Sequence, residues 1–180
     1  MRLYTGKGDD GSTGLFRGGR VSKDDTGPEA YGTVDEAVSA LGMARASAAP
    51  ELGEHLLAVQ RELFVAAAEL ATAPDGRDHL EPGVSLVTVA MVESLEARID
   101  AIVDEVGLPE GFVVPGGNPS AASIDLARTI VRRAERRTVT HLTAAAIEGS
   151  QVVPYLNRLA DYLYALARAV EGDWTPSREA

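Results

Sequence analysis

Apolar residues recur along this chain at three- and four-residue steps in five blocks, the period of a helix with one buried face. Thr33-Val34-Asp35-Glu36 has the S/T-x-x-E form of a capping box, so the first helix is predicted to start with Thr33 as its N-cap. It continues through Val38 and Leu41 to about Ala48, before Pro50. Pro50 suits the first turn of a second helix, whose apolar positions are Leu52, Leu56, Val59, Leu63, Ala67 and Leu70. Residues 74–83 form a turn-rich break. A third helix is expected from Ser85 to Val106, with Val92, Leu95, Ile99 and Ile102 on one side. A second break spans 107–118. Asn118-Pro119 is then a cap and first-turn pair for a fourth helix reaching about Thr143. The fifth helix, capped by Ser150, carries a clean seam of Val152, Leu156, Leu159, Leu163, Leu166 and Val170.

No extended alternating pattern competes with these blocks, so the fold class is all-α: a five-helix up-and-down bundle. Residues 1–32, with eight glycines and little periodicity, read as an irregular segment. The expected organisation is one domain over 1–180, with the N-terminal segment at 1–32, the bundle at 33–171 and a flexible tail at 172–180.

Composition narrows the chemistry. There is no cysteine, which removes disulfides, thiolate metal sites and cysteine nucleophiles. His55, His79 and His141 complete no Glu-x-x-His pair, and neither a serine-nucleophile motif nor zinc-ligand spacing occurs. No apolar run is long enough for a membrane span. Met1 to Tyr4 run directly into the glycine-rich segment, so no leader peptide and a cytoplasmic location are expected. A net charge of −10 opposes binding to nucleic acid or acidic membranes.

Positive charge is nevertheless concentrated. Arg128, Arg132, Arg133, Arg136 and Arg137 fall within ten residues, and Arg128, Arg132 and Arg136 share one helix face. Like charges at that spacing repel, so the cluster is either a solvated face or a site for an anion. The only two lysines, Lys7 and Lys23, lie in the N-terminal segment. There Thr5-Gly6-Lys7-Gly8-Asp9-Asp10-Gly11-Ser12-Thr13-Gly14 reads equally well as a mobile arm or a phosphate cradle of backbone amides, lysine and hydroxyls. Asn157 and Asp161 share a face of the fifth helix, where an amide can both donate to and accept from a nucleotide.

These segments together resemble the PduO-type ATP:cob(I)alamin adenosyltransferases. The likeness runs from Leu3 to about Trp174 in four ordered blocks: Tyr4–Gly14, Arg20–Glu36, Phe112–Arg137 and Tyr155–Arg168. The resemblance implies that Thr5, Gly6, Lys7, Gly8, Thr13 and Lys23 wrap the ATP phosphates, and that Arg132, Arg133, Ala134, Glu135, Arg136 and Asn157 complete the nucleotide site. It implies that Asp35 and Arg132 join neighbouring subunits of a homotrimer across the active site, and that Phe112 packs below the corrin and keeps a lower axial ligand away. It further implies Mg²⁺, with unknown ligands, and as partners a cobalamin reductase and an adenosylcobalamin-dependent mutase. The reaction implied is transfer of the 5′-deoxyadenosyl group of ATP to cob(I)alamin with release of triphosphate. Catalytic roles then fall to Arg132, Arg136, Asp35 and Phe112. The chain departs from the family pattern at Gly6, where lysine or threonine is usual, at Asp125, where many relatives carry histidine, and at Ala160, where serine is common. The rival is a helical nucleotide sensor or an adenosylcobalamin-delivery protein with the same groove.

Overall fold

The computed structural model describes residues 4–178. Leu3, the first residue of the likeness, and the last two residues of the expected tail lie outside them. Five long helices dominate: α1 (Thr26–Ala46), α2 (Pro50–Leu70), α3 (Val89–Val106), α4 (Pro119–Ala144) and α5 (Val152–Glu171). They are preceded by a small antiparallel hairpin of β1 (Ser12–Gly14) and β2 (Arg20–Ser22), with Thr13 opposite Val21. A 3₁₀ turn, Pro74–His79, lies in the break between α2 and α3.

The centre of the bundle is α5. Leu156, Leu159 and Leu163 are fully buried along its seam, each contributing roughly 1.5–3 kcal/mol by leaving water. Helices α3 and α4 pack on α5, while α1 packs on α4 and α2 on α1. The contact between α1 and α4 is lined by small residues. Ala30, Ala37 and Ala44 recur every seven residues on α1, and Ala127 and Ala134 do so on α4; all five are buried completely. Small side chains of this kind let two backbones approach closely. The register is pinned at both ends: Thr26 Oγ1 lies 3.1 Å from His141 Nδ1, and Ser120 Oγ donates to the Ser47 carbonyl at 3.4 Å. The two helices therefore run antiparallel. Burial at this contact holds the His141 imidazole below its ordinary titration range.

The expected start of the first helix is corrected. Helix α1 begins at Thr26, whose N–H is accepted by the Asp25 side chain at 2.6 Å. Thr33 is mid-helix and buried, and its hydroxyl donates back to the Glu29 carbonyl at 2.7 Å rather than capping anything. Gly27-Pro28 looks like a breaker, but in a first turn the missing proline N–H would be unpaired anyway. The bundle thus starts seven residues before the expected boundary at 33, and the 1–32 segment contains a hairpin and the first turns of a helix. Likewise α3 starts at Val89 behind an Asn-like cap from Thr88, whose hydroxyl accepts from Met91 N at 3.3 Å, not at Ser85. The Asn118 cap of α4 is as expected, its Oδ1 accepting from Ala121 N at 2.9 Å. Ser150 stands one residue further out than a cap, accepting weakly from Val152 N at 3.3 Å. The stretch after Gly172 is not a loose tail over its described part: Val114 N donates to the Thr175 carbonyl and Ser177 N to the Phe112 carbonyl, both at 2.8 Å.

At the other end of the bundle one carboxylate gathers the loops. Glu69 is fully buried near the end of α2. It accepts from Arg77 Nη2 at 2.7 Å, Ser150 Oγ at 2.7 Å and Val87 N at 2.8 Å. The 3₁₀ turn, the entry to α3 and the entry to α5 thus meet on one side chain. No helix among the described residues is long and apolar enough to cross a membrane.

Replacing Glu69 by Ala leaves a mostly buried guanidinium, a backbone N–H and a hydroxyl without their acceptor. The expected loss is about 3 kcal/mol or more, the scale for breaking a buried charged pair from one side. Urea denaturation measures it, and a loss under about 1 kcal/mol would show that Glu69 is no more than a surface-type pair.

Candidate active site

The N-terminal segment is organised by its own polar groups. Gly6 and Gly11 take φ of +72° and +82°, where a side chain would be strained, and so allow two tight turns in succession. Asp9 N donates to the Gly6 carbonyl and Gly11 N to the Gly8 carbonyl, each at 3.2 Å. Two cations on the hairpin's second strand and its continuation hold this loop from behind. Arg20 Nη2 donates to the Lys7 carbonyl at 2.6 Å, and Lys23 Nζ donates to the Gly8 carbonyl at 2.7 Å. Asp10 accepts from Ser12 N at 2.9 Å and Ser12 Oγ at 2.7 Å, which lowers its carboxyl below the usual range, with Arg20 adding to the effect. The hairpin is fastened to the bundle through Phe16 N to the Ala71 carbonyl at 2.9 Å and Ala73 N to the Arg17 carbonyl at 3.1 Å. Over residues 6–23 the segment takes the form of successive turns and a hairpin held by these contacts.

The arginine cluster divides by partner. Arg133 pairs with Glu36 across the α1–α4 contact, and Arg137 pairs with Glu29 at 3.0 Å. Arg128 Nε contacts Asp125 at 3.1 Å. Arg132 and Arg136 are exposed and have no carboxylate partner among the described residues; Arg136 Nη1 donates instead to the Arg132 carbonyl at 2.9 Å. Two uncompensated charges therefore stand one turn apart on α4. Asp35, at the level of Arg132 on the antiparallel α1, is also exposed and unpaired among the described residues.

The remaining expected residues fall in three places. Asn157 Nδ2 donates to Glu135 Oε1 at 3.1 Å and Asn157 Oδ1 accepts from Arg158 Nη1 at 3.3 Å, so the amide sits at the α4–α5 seam beside the arginines. Ala134 is corrected: it is 0% exposed and its methyl belongs to the core. Phe112, in contrast, is 88% exposed on the 107–118 loop at the opposite end of α4 from the hairpin.

No hydrogen bond or ion pair among the described residues joins the 5–14 loop to Arg132 or Arg136 within one chain. A hollow of about 330 Å³ between the start of α1 and the end of α4 is lined by Asp24, Thr26, Glu29, Arg137 and Thr140. Three contributors escaped the sequence reading. Arg20 is one, since three-residue strands are too short to show alternation; Gly18-Gly19, with φ of +86° and +59°, was the available hairpin signal. Glu29 and Glu36 are the others. Their role exists only once α1 lies against α4.

This arrangement matches known proteins over nearly its whole length. The family model described as cobalamin adenosyltransferase matches residues 3–170. A corrinoid adenosyltransferase of Bacillus subtilis (strain 168) is 42% identical over 175 residues, covering 94% of this chain and 86% of the relative. The corrinoid adenosyltransferase PduO of Salmonella typhimurium is 41% identical over 174 residues, covering 96% of this chain but 51% of that longer protein. Among solved structures, a variant PduO-type ATP:corrinoid adenosyltransferase from Lactobacillus reuteri, complexed with cobalamin and ATP, superposes with a TM-score of 0.89 at 30% identity, covering 99% of this chain and 100% of that one. A second variant from the same organism, complexed with ATP, gives 0.87 at 31% identity, covering 98% and 100%. With a family model matched across most of its length and relatives of about this identity on both counts, the chain belongs to the PduO-type cobalamin adenosyltransferase family.

Proposed function

We propose that this protein transfers the 5′-deoxyadenosyl group of ATP to the cobalt of a reduced corrinoid, with its active sites completed between neighbouring copies. The observation that carries the reading is the unbalanced charge on α4. Arg133 and Arg137 are neutralised by Glu36 and Glu29, whereas Arg132 and Arg136 are not. Two adjacent guanidiniums repel unless an anion lies between them, and a triphosphate supplies that anion with bidentate acceptors.

The chemistry asks little of the protein as a nucleophile. Cob(I)alamin supplies the electron pair that forms the Co–C bond to the ribose 5′ carbon, and the C5′–O bond breaks with that pair leaving on triphosphate. Charge develops on the leaving oxygens, where Arg132, Arg136, Lys7 and the amides of the 5–14 loop act as fixed donors. The Lys7 and Gly8 carbonyls are taken by Arg20 and Lys23, and the N–H groups of Gly6, Gly8 and Asp10, which have no partner among the described residues, suit phosphate. Thr5 and Thr13 add hydroxyls. Asn157, beside Glu135, suits the nucleoside. A magnesium ion would be carried on the triphosphate oxygens and water, its common mode with nucleotides; the described residues form no group of three or more His, Asp or Glu that could hold one.

No hydrogen bond or ion pair among the described residues joins the two halves of this site within one chain, which supports a site formed by the loop of one copy and the arginines of the next. Asp35 and Arg132, exposed at one level and unpaired within the chain, are the groups to bridge such copies, and a homotrimer closes the arrangement. Phe112, an apolar ring offered to solvent, suits the lower face of the corrin. There it would exclude a lower axial ligand and ease reduction of cob(II)alamin. A cytoplasmic setting, with a reductase upstream and an adenosylcobalamin-dependent mutase downstream, fits this activity.

Incubation with ATP, Mg²⁺ and chemically reduced cobalamin should yield the Co–C product spectrum; ATP and cobalamin binding without product would favour a delivery or sensing role. Arg132→Ala and Arg136→Ala should each cut turnover by about a hundredfold or more, the scale for one transition-state donor, with the helical circular dichroism intact. Near-normal steady-state kinetics in both would remove them from the mechanism. Asp35→Ala should lower both activity and the assembled fraction seen by analytical ultracentrifugation, and a fully assembled, inactive variant would contradict the bridging role. Phe112→Ala should spare turnover of pre-reduced cob(I)alamin while turnover that starts from cob(II)alamin falls; equal losses in the two assays would discredit the steric role.

A further inference from the structure

The loop carrying Phe112 is tied down at more points than a simple connection requires. Ser177 N donates to the Phe112 carbonyl and Val114 N to the Thr175 carbonyl, both at 2.8 Å. Gly117 N donates to Glu171 Oε1 at 2.7 Å, and Asn118 Nδ2 donates to the Val170 carbonyl at 2.9 Å. The backbone is held at Phe112 and on its C-terminal side, yet the ring itself is almost wholly exposed.

Behind the loop lies a buried ionic cluster. Arg168 is fully buried and its guanidinium pairs with both Asp125 and Glu171, the latter at 2.9 Å. Arg128 shares Asp125 from the other side at 3.1 Å. The Tyr164 ring lies 5.4 Å from the Arg168 guanidinium and 5.8 Å from that of Arg128. Two cations thus face two carboxylates, which balances the buried charge, although Arg168 Nε and Nη1 and Glu171 Oε2 make no hydrogen bond among the described residues. The Trp174 indole N–H closes the cluster on the Arg168 carbonyl at 3.1 Å. Glu171 Oε2 faces Arg168 Nη1 as an ion pair without hydrogen-bond geometry, while its Oε1 accepts from Gly117 N. A Cβ at position 117 would lie 2.5 Å from that oxygen and 2.7 Å from Glu171 Cγ, so any other residue there would displace the carboxylate.

We infer that Glu171, oriented by Arg168 and Asp125, is a positioning residue for Phe112: its carboxylate clamps the loop at Gly117 and holds the ring where the lower face of a flat macrocycle meets it. The inference rests on the reading of Phe112 given above and adds the group that enforces it. It also gives Asp125, a departure from the family pattern, a structural partner in Arg168.

The test uses the full chain in two assays, one fed chemically pre-reduced cob(I)alamin and one fed cob(II)alamin with a reductant, together with the electron paramagnetic resonance spectrum of cob(II)alamin bound with ATP. Glu171→Ala and Gly117→Ala should each lower the cob(II)alamin-dependent rate roughly tenfold, the scale of one charge-assisted hydrogen bond. The cob(I)alamin rate should stay within about threefold, and the signal of cobalt lacking a lower ligand should shrink in parallel. Glu171→Gln, which keeps the acceptor oxygen, should recover most of the rate; together with Gly117→Ala it carries the test if Glu171→Ala does not fold. Adding Glu171→Ala to Phe112→Ala should cost nothing further, because both act through one ring. Losses equal in the two assays, or additive in the double variant, overturn the clamp. If Phe112→Ala is selective while Glu171→Ala and Gly117→Ala leave the cob(II)alamin rate and spectrum unchanged, the clamp alone falls. If Phe112→Ala is itself unselective, the role of the ring falls first and the clamp with it.

Discussion

Close packing of α1 on α4 is the contact from which the site's electrostatics follow. Alanine at seven-residue intervals on both helices lets the backbones approach, and the Thr26–His141 and Ser120–Ser47 contacts mark the antiparallel register. In that register Glu36 reaches Arg133 and Glu29 reaches Arg137, so two of the five clustered arginines are neutralised from α1. Asp35, Arg132 and Arg136 are left facing outward. A shift of one residue on either helix would rotate these side chains by about 100° around the axis and scramble which charges are spent inside the chain. The register of this helix contact thereby decides which arginines remain for a ligand.

Buried carboxylates do the corresponding work for the loops. Glu69 gathers the 3₁₀ turn and the entries to α3 and α5, and Glu171 with Asp125 and Arg168 gathers the 107–118 loop and the stretch after Gly172. A buried charge is costly without full pairing, so each cluster tolerates few alternative arrangements. Loops held this way can carry functional groups at defined positions while their tips stay open to solvent. The glycine-rich segment follows a milder version of the same scheme, with Arg20 and Lys23 taking its Lys7 and Gly8 carbonyls.

Much of the helical framework was legible because it depends on period. The seam of α5 and the Asn118-Pro119 start of α4 need only the local pattern and a cap. The start of α1 was misread because its apolar stripe is made of alanine and glycine, which give a weak periodic signal, and because Thr33 and Glu36 match a capping box while serving other ends. The hairpin was invisible for want of length. The order of the stretch after Gly172 was equally hidden, since two backbone hydrogen bonds to a loop sixty residues earlier leave no local trace.

By itself the sequence determined the helical class, the clustering of arginine on one helix, the glycine-rich segment and the family likeness, since these rest on composition, spacing and identity along the chain. Only the tertiary structure decided that Arg133 and Arg137 are spent on Glu36 and Glu29, that Ala134 points into the core, that Phe112 stands exposed on a fastened loop, and that Asp125 meets Arg168 across forty-odd residues. Each of these depends on which elements lie side by side. Charge pairing and burial act through space, and the linear spacing of two residues carries no information about a partner that folding brings to them.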